Sequence, residues 1–193
     1  MFIQTQSTPN PETLKFLPGK DVSPGAPYEF TTLQEAAASP LAGALFAIRG
    51  VRGVFLGDDF VSITKDVEAD WAPLKPQALA AIMDHFVGGG PVMLGAGPAA
   101  HEAAAEDDVI YEGETAEIVA EIKELIATRV RPAVAQDGGD IVFKRFDVET
   151  GVVHLTMHGA CSGCPSSTAT LKQGVENLLR HYVPEVTAVE AAA

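Results

Sequence analysis

Apolar residues recur along the chain at two spacings, and the changes of spacing divide it into short strands and helices. Phe2 to Gln6 and Thr13 to Phe16 read as strands, separated by Ser7-Thr8-Pro9-Asn10-Pro11-Glu12. The two prolines fix φ and hold their predecessors extended, so a rigid turn or bent loop is expected there. Leu41, Leu45 and Ile48 share a helical face, and Leu79, Ile82, Met83 and Phe86 share another after Trp71. Between them, Val51 to Leu56 and Phe60 to Thr64 form a predicted hairpin around Gly57-Asp58-Asp59, whose residues tolerate the dihedrals of a tight reversal.

Further along, Ile118, Ile122, Leu125 and Ile126 fall at i, i+4, i+7 and i+8 behind Thr115, a candidate N-cap. Pro132 should kink or end this helix, and Gly138-Gly139 supply an exit into a strand over Ile141 to Val148. After a turn at Glu149-Thr150-Gly151, Val153, Leu155 and Met157 make one face of the next strand, with His154, Thr156 and His158 on the other. A last helix follows Cys164-Pro165 with Leu171, Val175, Leu178, Leu179 and Tyr182 on one stripe, and a short strand over Val186 to Val189 closes the chain.

The stretch from Val87 to Val109 has no sustained apolar period, is rich in Gly, Ala and Pro, and ends acidic. It reads as a flexible linker. The expected organisation is therefore α+β: a domain at 1–87, a linker at 88–108, and a domain at 109–193 of order helix-strand-strand-helix-strand.

Composition narrows the function. With 47% apolar residues in 193, the chain can bury two small cores, and no apolar run is long enough to span a bilayer. A net charge of −13, spread over the chain, repels phosphate backbones and argues against nucleic-acid binding. The first residues, Met1 to Gln6, carry no basic, apolar or Arg-rich leader pattern, so a cytoplasm is expected.

Only two cysteines occur, Cys161 and Cys164, in Gly159-Ala160-Cys161-Ser162-Gly163-Cys164-Pro165 between a strand and a helix. A helix N-terminus beside both sulfurs favours thiolate, the form that binds metal or attacks a disulfide. Gly159 and Gly163 let the backbone approach a bulky inorganic core, and Pro165 suits the first helical turn. A two-residue spacer lets two sulfurs address one centre, yet zinc or a [4Fe–4S] cluster wants about four protein ligands. Two copies of the chain, each giving Cys161 and Cys164, complete the set across a two-fold axis.

Asp137-Gly138-Gly139-Asp140 followed by the cysteine segment and Ser166-Ser167 resembles the NifU C-terminal domain of Nfu-type iron–sulfur proteins. The opening FIQTQSTPNPETLKFLPG resembles the N-terminal domain joined to it in the mitochondrial-type Nfu proteins and their bacterial relatives. The resemblance implies a scaffold or carrier, not an enzyme: a homodimer holding a [4Fe–4S] cluster, with [2Fe–2S] as the other form, on Cys161 and Cys164. A donor would supply the cluster and recipient apoproteins would receive it, and without the presequence of the organelle forms the resemblance implies a bacterial cytoplasm.

Two other classes use the same motif. A thiol–disulfide oxidoreductase places C-x-x-C between strand and helix, and a zinc-bridged dimer would hold its metal permanently. His154 and His158 are read as surface or interface residues, and Asp137 and Asp140 as parts of a helix exit rather than paired catalytic carboxylates. Gly88-Gly89-Gly90 lacks the Lys-Ser or Lys-Thr of a phosphate loop. Thr8-Pro9-Asn10-Pro11 fits a docking loop and a structural turn equally well.

Overall fold

Strand pairing in the first half follows from the hairpin and the proline bend. The structure, a computed structural model, describes residues 2–94, 109–162 and 165–192. Strands β1 (Gln4–Ser7), β2 (Thr13–Leu17), β3 (Tyr28–Phe30), β4 (Val51–Leu56) and β5 (Val61–Lys65) form an antiparallel sheet of order β1-β2-β5-β4-β3. Helices α1 (Leu33–Ala36), α2 (Pro40–Phe46) and α3 (Trp71–Gly88) complete the unit. Phe16, Phe30, Leu56 and Ile63 from the sheet pack in one core with Leu41, Leu45, Leu74 and Ile82 from the helices.

Two elements here escape the apolar pattern. β3 is three residues long, too short to display a period. α1 is signalled instead by a capping box, in which Thr32 accepts from Glu35 N and the Glu35 carboxylate accepts from Thr32 N. The α3 stripe is also displaced: Leu74, Ala78 and Ile82 are buried, whereas Met83 faces solvent. After Gly89, Val92 and Met93 fold back on this core. Part of the expected linker, residues 95–108, lies outside the described residues, as do Gly163, Cys164 and His101.

The second unit contains α4 (Glu114–Leu125), a π-helical turn (Ile126–Val130), α5 (Arg131–Gln136), β6 (Gly139–Asp147), β7 (Val152–Gly159), α6 (Pro165–Tyr182) and β8 (Ala188–Ala191). β7 is central, antiparallel to β6 and parallel to β8. Ile122, Ile141, Val153, Leu155, Leu179 and Val189 form its core. Thr115 is not the cap of α4; Gly113 occupies that position without a side-chain bond. Pro132 does not end the helix, because the turn before it widens, with Arg131 N donating to Ile126 O, and the helix resumes with the proline in its first turn.

Gly174 is an exposed position inside α6 where an added Cβ would meet nothing within 4 Å. Gly174→Ala should stabilise the second unit by about 0.5–1 kcal/mol, through the backbone entropy that glycine loses in a helix. A urea unfolding midpoint checks this.

Candidate functional site

Two glycine turns meet where β6 begins and β7 ends. Gly138, at φ +81°, takes the chain out of α5, and Gly159, at φ +63°, reverses it after β7. The loop beyond is closed by Ser162 N and Ser162 Oγ, both donating to Gly159 O at 3.1 and 2.8 Å, and by Ala160 N donating to Gly138 O at 3.2 Å. This geometry turns the Cys161 side chain inward. The residue is 6% exposed and belongs to the second core, and a Cβ on Gly139 would stand 2.6 Å from its Sγ.

The inward thiol overturns one expectation. Proximity to the α6 N-terminus was expected to favour thiolate at both cysteines, but burial pushes the Cys161 thiol up to about 12, helped by the carboxylates of Asp137, Asp140 and Glu29. In the unloaded chain, alkylation of Cys161 should therefore climb about tenfold per pH unit to beyond about pH 10, where an ordinary thiol has levelled off. Site-resolved mass spectrometry reads it. A thiol shifted upward from the unfolded value of 9.0 also costs stability as pH rises from there toward 12, because the unfolded chain releases its proton first.

Asp137 lies at the helix exit and Asp140 at the strand entry, where the sequence placed them. Asp140, 6% exposed, accepts from Arg131 Nε at 2.9 Å and Nη2 at 2.8 Å and from Ile141 N at 2.8 Å. The bidentate fork neutralises a carboxylate that burial would otherwise penalise. A cavity of about 580 Å³ opens beside the loop, lined by Pro9, Val134, Cys161, Leu171, Val175 and Leu178. Among the described residues no three His, Cys, Asp or Glu side chains converge as metal ligands, so that part of one chain holds no complete set.

His158 is not on a solvated face: it is 6% exposed, with Nδ1 2.7 Å from Glu29 Oε2. A carboxylate only accepts, which puts the ring proton on Nδ1. Glu29 Oε1 also accepts from Gly159 N at 2.8 Å and lies 3.5 Å from Ser162 Oγ. Glu29 is the site residue that sequence reasoning missed, since it sits on the short strand β3 with no motif around it. The Thr8-to-Pro11 segment is both a turn and a contact. Thr8 Oγ1 donates to Asn10 O and Thr13 O, while Asn10 Nδ2 donates to Ser162 O at 3.4 Å.

Comparison with known proteins covers both units. Residues 3–89 match the family described as scaffold protein Nfu/NifU N terminal, and residues 122–190 match the NifU-like domain. The NifU-like protein 5, mitochondrial, of Arabidopsis thaliana is 53% identical over 190 residues, covering 98% of this chain and 67% of that protein. The NFU1 iron-sulfur cluster scaffold homolog, mitochondrial, of Drosophila sechellia is 53% identical over 191 residues, covering 98% of this chain and 64% of that protein. A solution NMR structure of a NifU-like protein from Saccharomyces cerevisiae superimposes at a TM-score of 0.45, with 27% identity over 49% of this chain and 86% of that one.

The chain thus spans about two thirds of the length of these curated relatives. Their names call them mitochondrial, which overturns the expected bacterial cytoplasm. That expectation rested on the residues with which the sequence opens, and these carry no information on location when a third of the relatives' length lies outside the match.

Proposed function

The chain belongs to the Nfu/NifU family of iron–sulfur cluster scaffold proteins, and from that premise we propose that two copies share a [4Fe–4S] cluster through Cys161 and Cys164 and pass it to recipient apoproteins. The observation that carries this reading is the loop Gly159 to Ser162. It presents Cys161 at the wall of a cavity, beside a glycine with no Cβ, in a chain with no other cysteine but Cys164. Four thiolates require a second chain, and a cluster held across an interface is reached from outside and can leave. The chain's residues bind and release cargo, with no covalent step on a substrate.

Given iron and sulfide without oxygen, the chain should turn brown, bind about four irons per pair and elute as a dimer. Cys161→Ala and Cys164→Ala should each remove colour, iron and the size increase. Stoichiometric zinc in a colourless dimer, or rapid turnover of a disulfide substrate, would replace this reading with a structural metal site or a redox role.

A further inference from the structure

The N-terminal sheet is buried on both faces. Alternation turns Phe16, Val54, Leu56, Val61, Ile63 and Phe30 toward α2 and α3. Their neighbours Lys15, Ser62, Phe55 and Glu29 lie on the other face, one on each of four adjacent strands. They are register partners in sequence: Lys15 with Ser62, Ser62 with Phe55, and Phe55 with Glu29. The result is a single transverse row.

Each member of the row meets the glycine turns or the cysteine loop. Lys15 Nζ donates to Ala135 O at 2.7 Å, capping the end of α5. Ser62 Oγ donates to Gly138 O at 2.6 Å, and the Phe55 ring lies 3.0 Å from where a Cβ on Gly159 would stand. Glu29 receives Gly159 N and His158 Nδ1, and beyond the row Asn10 reaches Ser162 O. Lys15, Ser62, Phe55 and Asn10 are all buried, Lys15 and Ser62 at 6% and 1% exposure. Burying a lysine, a serine and a carboxylate on a sheet face is costly unless each is bonded, and each is.

We propose that this row is a receptor for the cysteine loop of its own chain, and that docking in the receptor and loading of the cluster exclude one another. The second half rests on the scaffold reading above. Sharing a cluster with a second copy requires Cys161 Sγ to leave the core for the surface, and the loop can turn outward only if Gly159 N and Ser162 release Glu29 and Asn10. The docked arrangement is thus the covered, unloaded form.

The test uses two full-length variants at opposite ends of the row, Glu29→Ala and Lys15→Met, with urea unfolding to confirm that each folds. Removing Glu29 takes a negative charge from near the thiol and removing Lys15 takes a positive one, so a common response reports access rather than charge. Iodoacetamide should alkylate Cys161 about tenfold faster or more in both, tenfold being about 1.4 kcal/mol of docking lost. Both should also take up iron and sulfide faster than the parent chain. Unchanged alkylation in both folded variants would show that the row does not cover the thiol. Faster alkylation with equal or slower loading would overturn the exclusion, making docking a preorganising contact. If no chain binds iron while alkylation still rises, the scaffold reading falls and the receptor stands.

Discussion

Gly139→Ala should drive the cysteine loop out of its docked position while the N-terminal unit stays folded. A Cβ at residue 139 would lie 2.6 Å from Cys161 Sγ, 2.6 Å from His158 O and 3.1 Å from Cys161 N. The sulfur can rotate away, but His158 O belongs to β7, the strand paired with β6, and can move only by opening the pairing at Gly139 and Gly159. Overpacking of this kind costs about 1–3 kcal/mol and falls on the cysteine loop itself. The iodoacetamide alkylation rate of Cys161, read beside a two-transition urea curve, checks it. Faster alkylation with an unchanged N-terminal transition is the expected result, whereas an unchanged rate would mean that the loop stays docked and the strain is relieved elsewhere.

That prediction rests on a role for Asp137-Gly138-Gly139-Asp140 which the sequence only half discloses. Two adjacent glycines before a strand read as a flexible exit, and Gly138 at φ +81° is indeed such a turn. Gly139 has ordinary dihedrals; it is glycine because a thiol and a carbonyl occupy the space where its side chain would go. Tertiary approach of this sort leaves no mark on local pattern. The cysteine motif itself was legible because ligand count and spacing are chemical statements that hold without a fold.

The same distinction explains the fold. The β4–β5 hairpin and the α4, β6, β7, α6 order follow from period and turn chemistry, which are local. The contact between the two units was not foreseen: the Thr8-to-Pro11 loop was read as a structural turn or as an exposed docking loop, and its bond to Ser162 of the same chain was neither. Val54-Phe55-Leu56 held a hint, since three successive buried apolar residues in a strand mean that both faces are covered. What covers the second face could not be read, because its partners are carbonyls of Ala135 and Gly138 and the N–H of Gly159, backbone groups that every residue has. The inward thiol was missed for the same reason. A helix N-terminus favours thiolate only where the sulfur stays near solvent, and the Gly159 turn directs Cys161 into the core instead.

Gly159→Ala should damage the second unit and its contact with the first together, because it acts on three contacts at once. At φ +63° alanine pays a left-handed penalty of about 1 kcal/mol that glycine avoids. Its Cβ would also stand 2.8 Å from Gly138 O, 3.1 Å from Gly139 Cα and 3.0 Å from the Phe55 ring, so relief on the strand side pushes toward the other unit. Moving the backbone to escape breaks the bond from Gly159 N to Glu29, a charge-assisted contact worth about 1.5–3 kcal/mol. A total loss of about 2–4 kcal/mol is expected, short of the full sum because the strain relaxes in part. Glu29→Ala measured alone and in the double variant separates the contributions. If the Glu29 bond is what the methyl breaks, adding Gly159→Ala to the Glu29→Ala chain should cost less than adding it to the parent, and equal costs in the two backgrounds would confine the damage to the turn and its steric contacts.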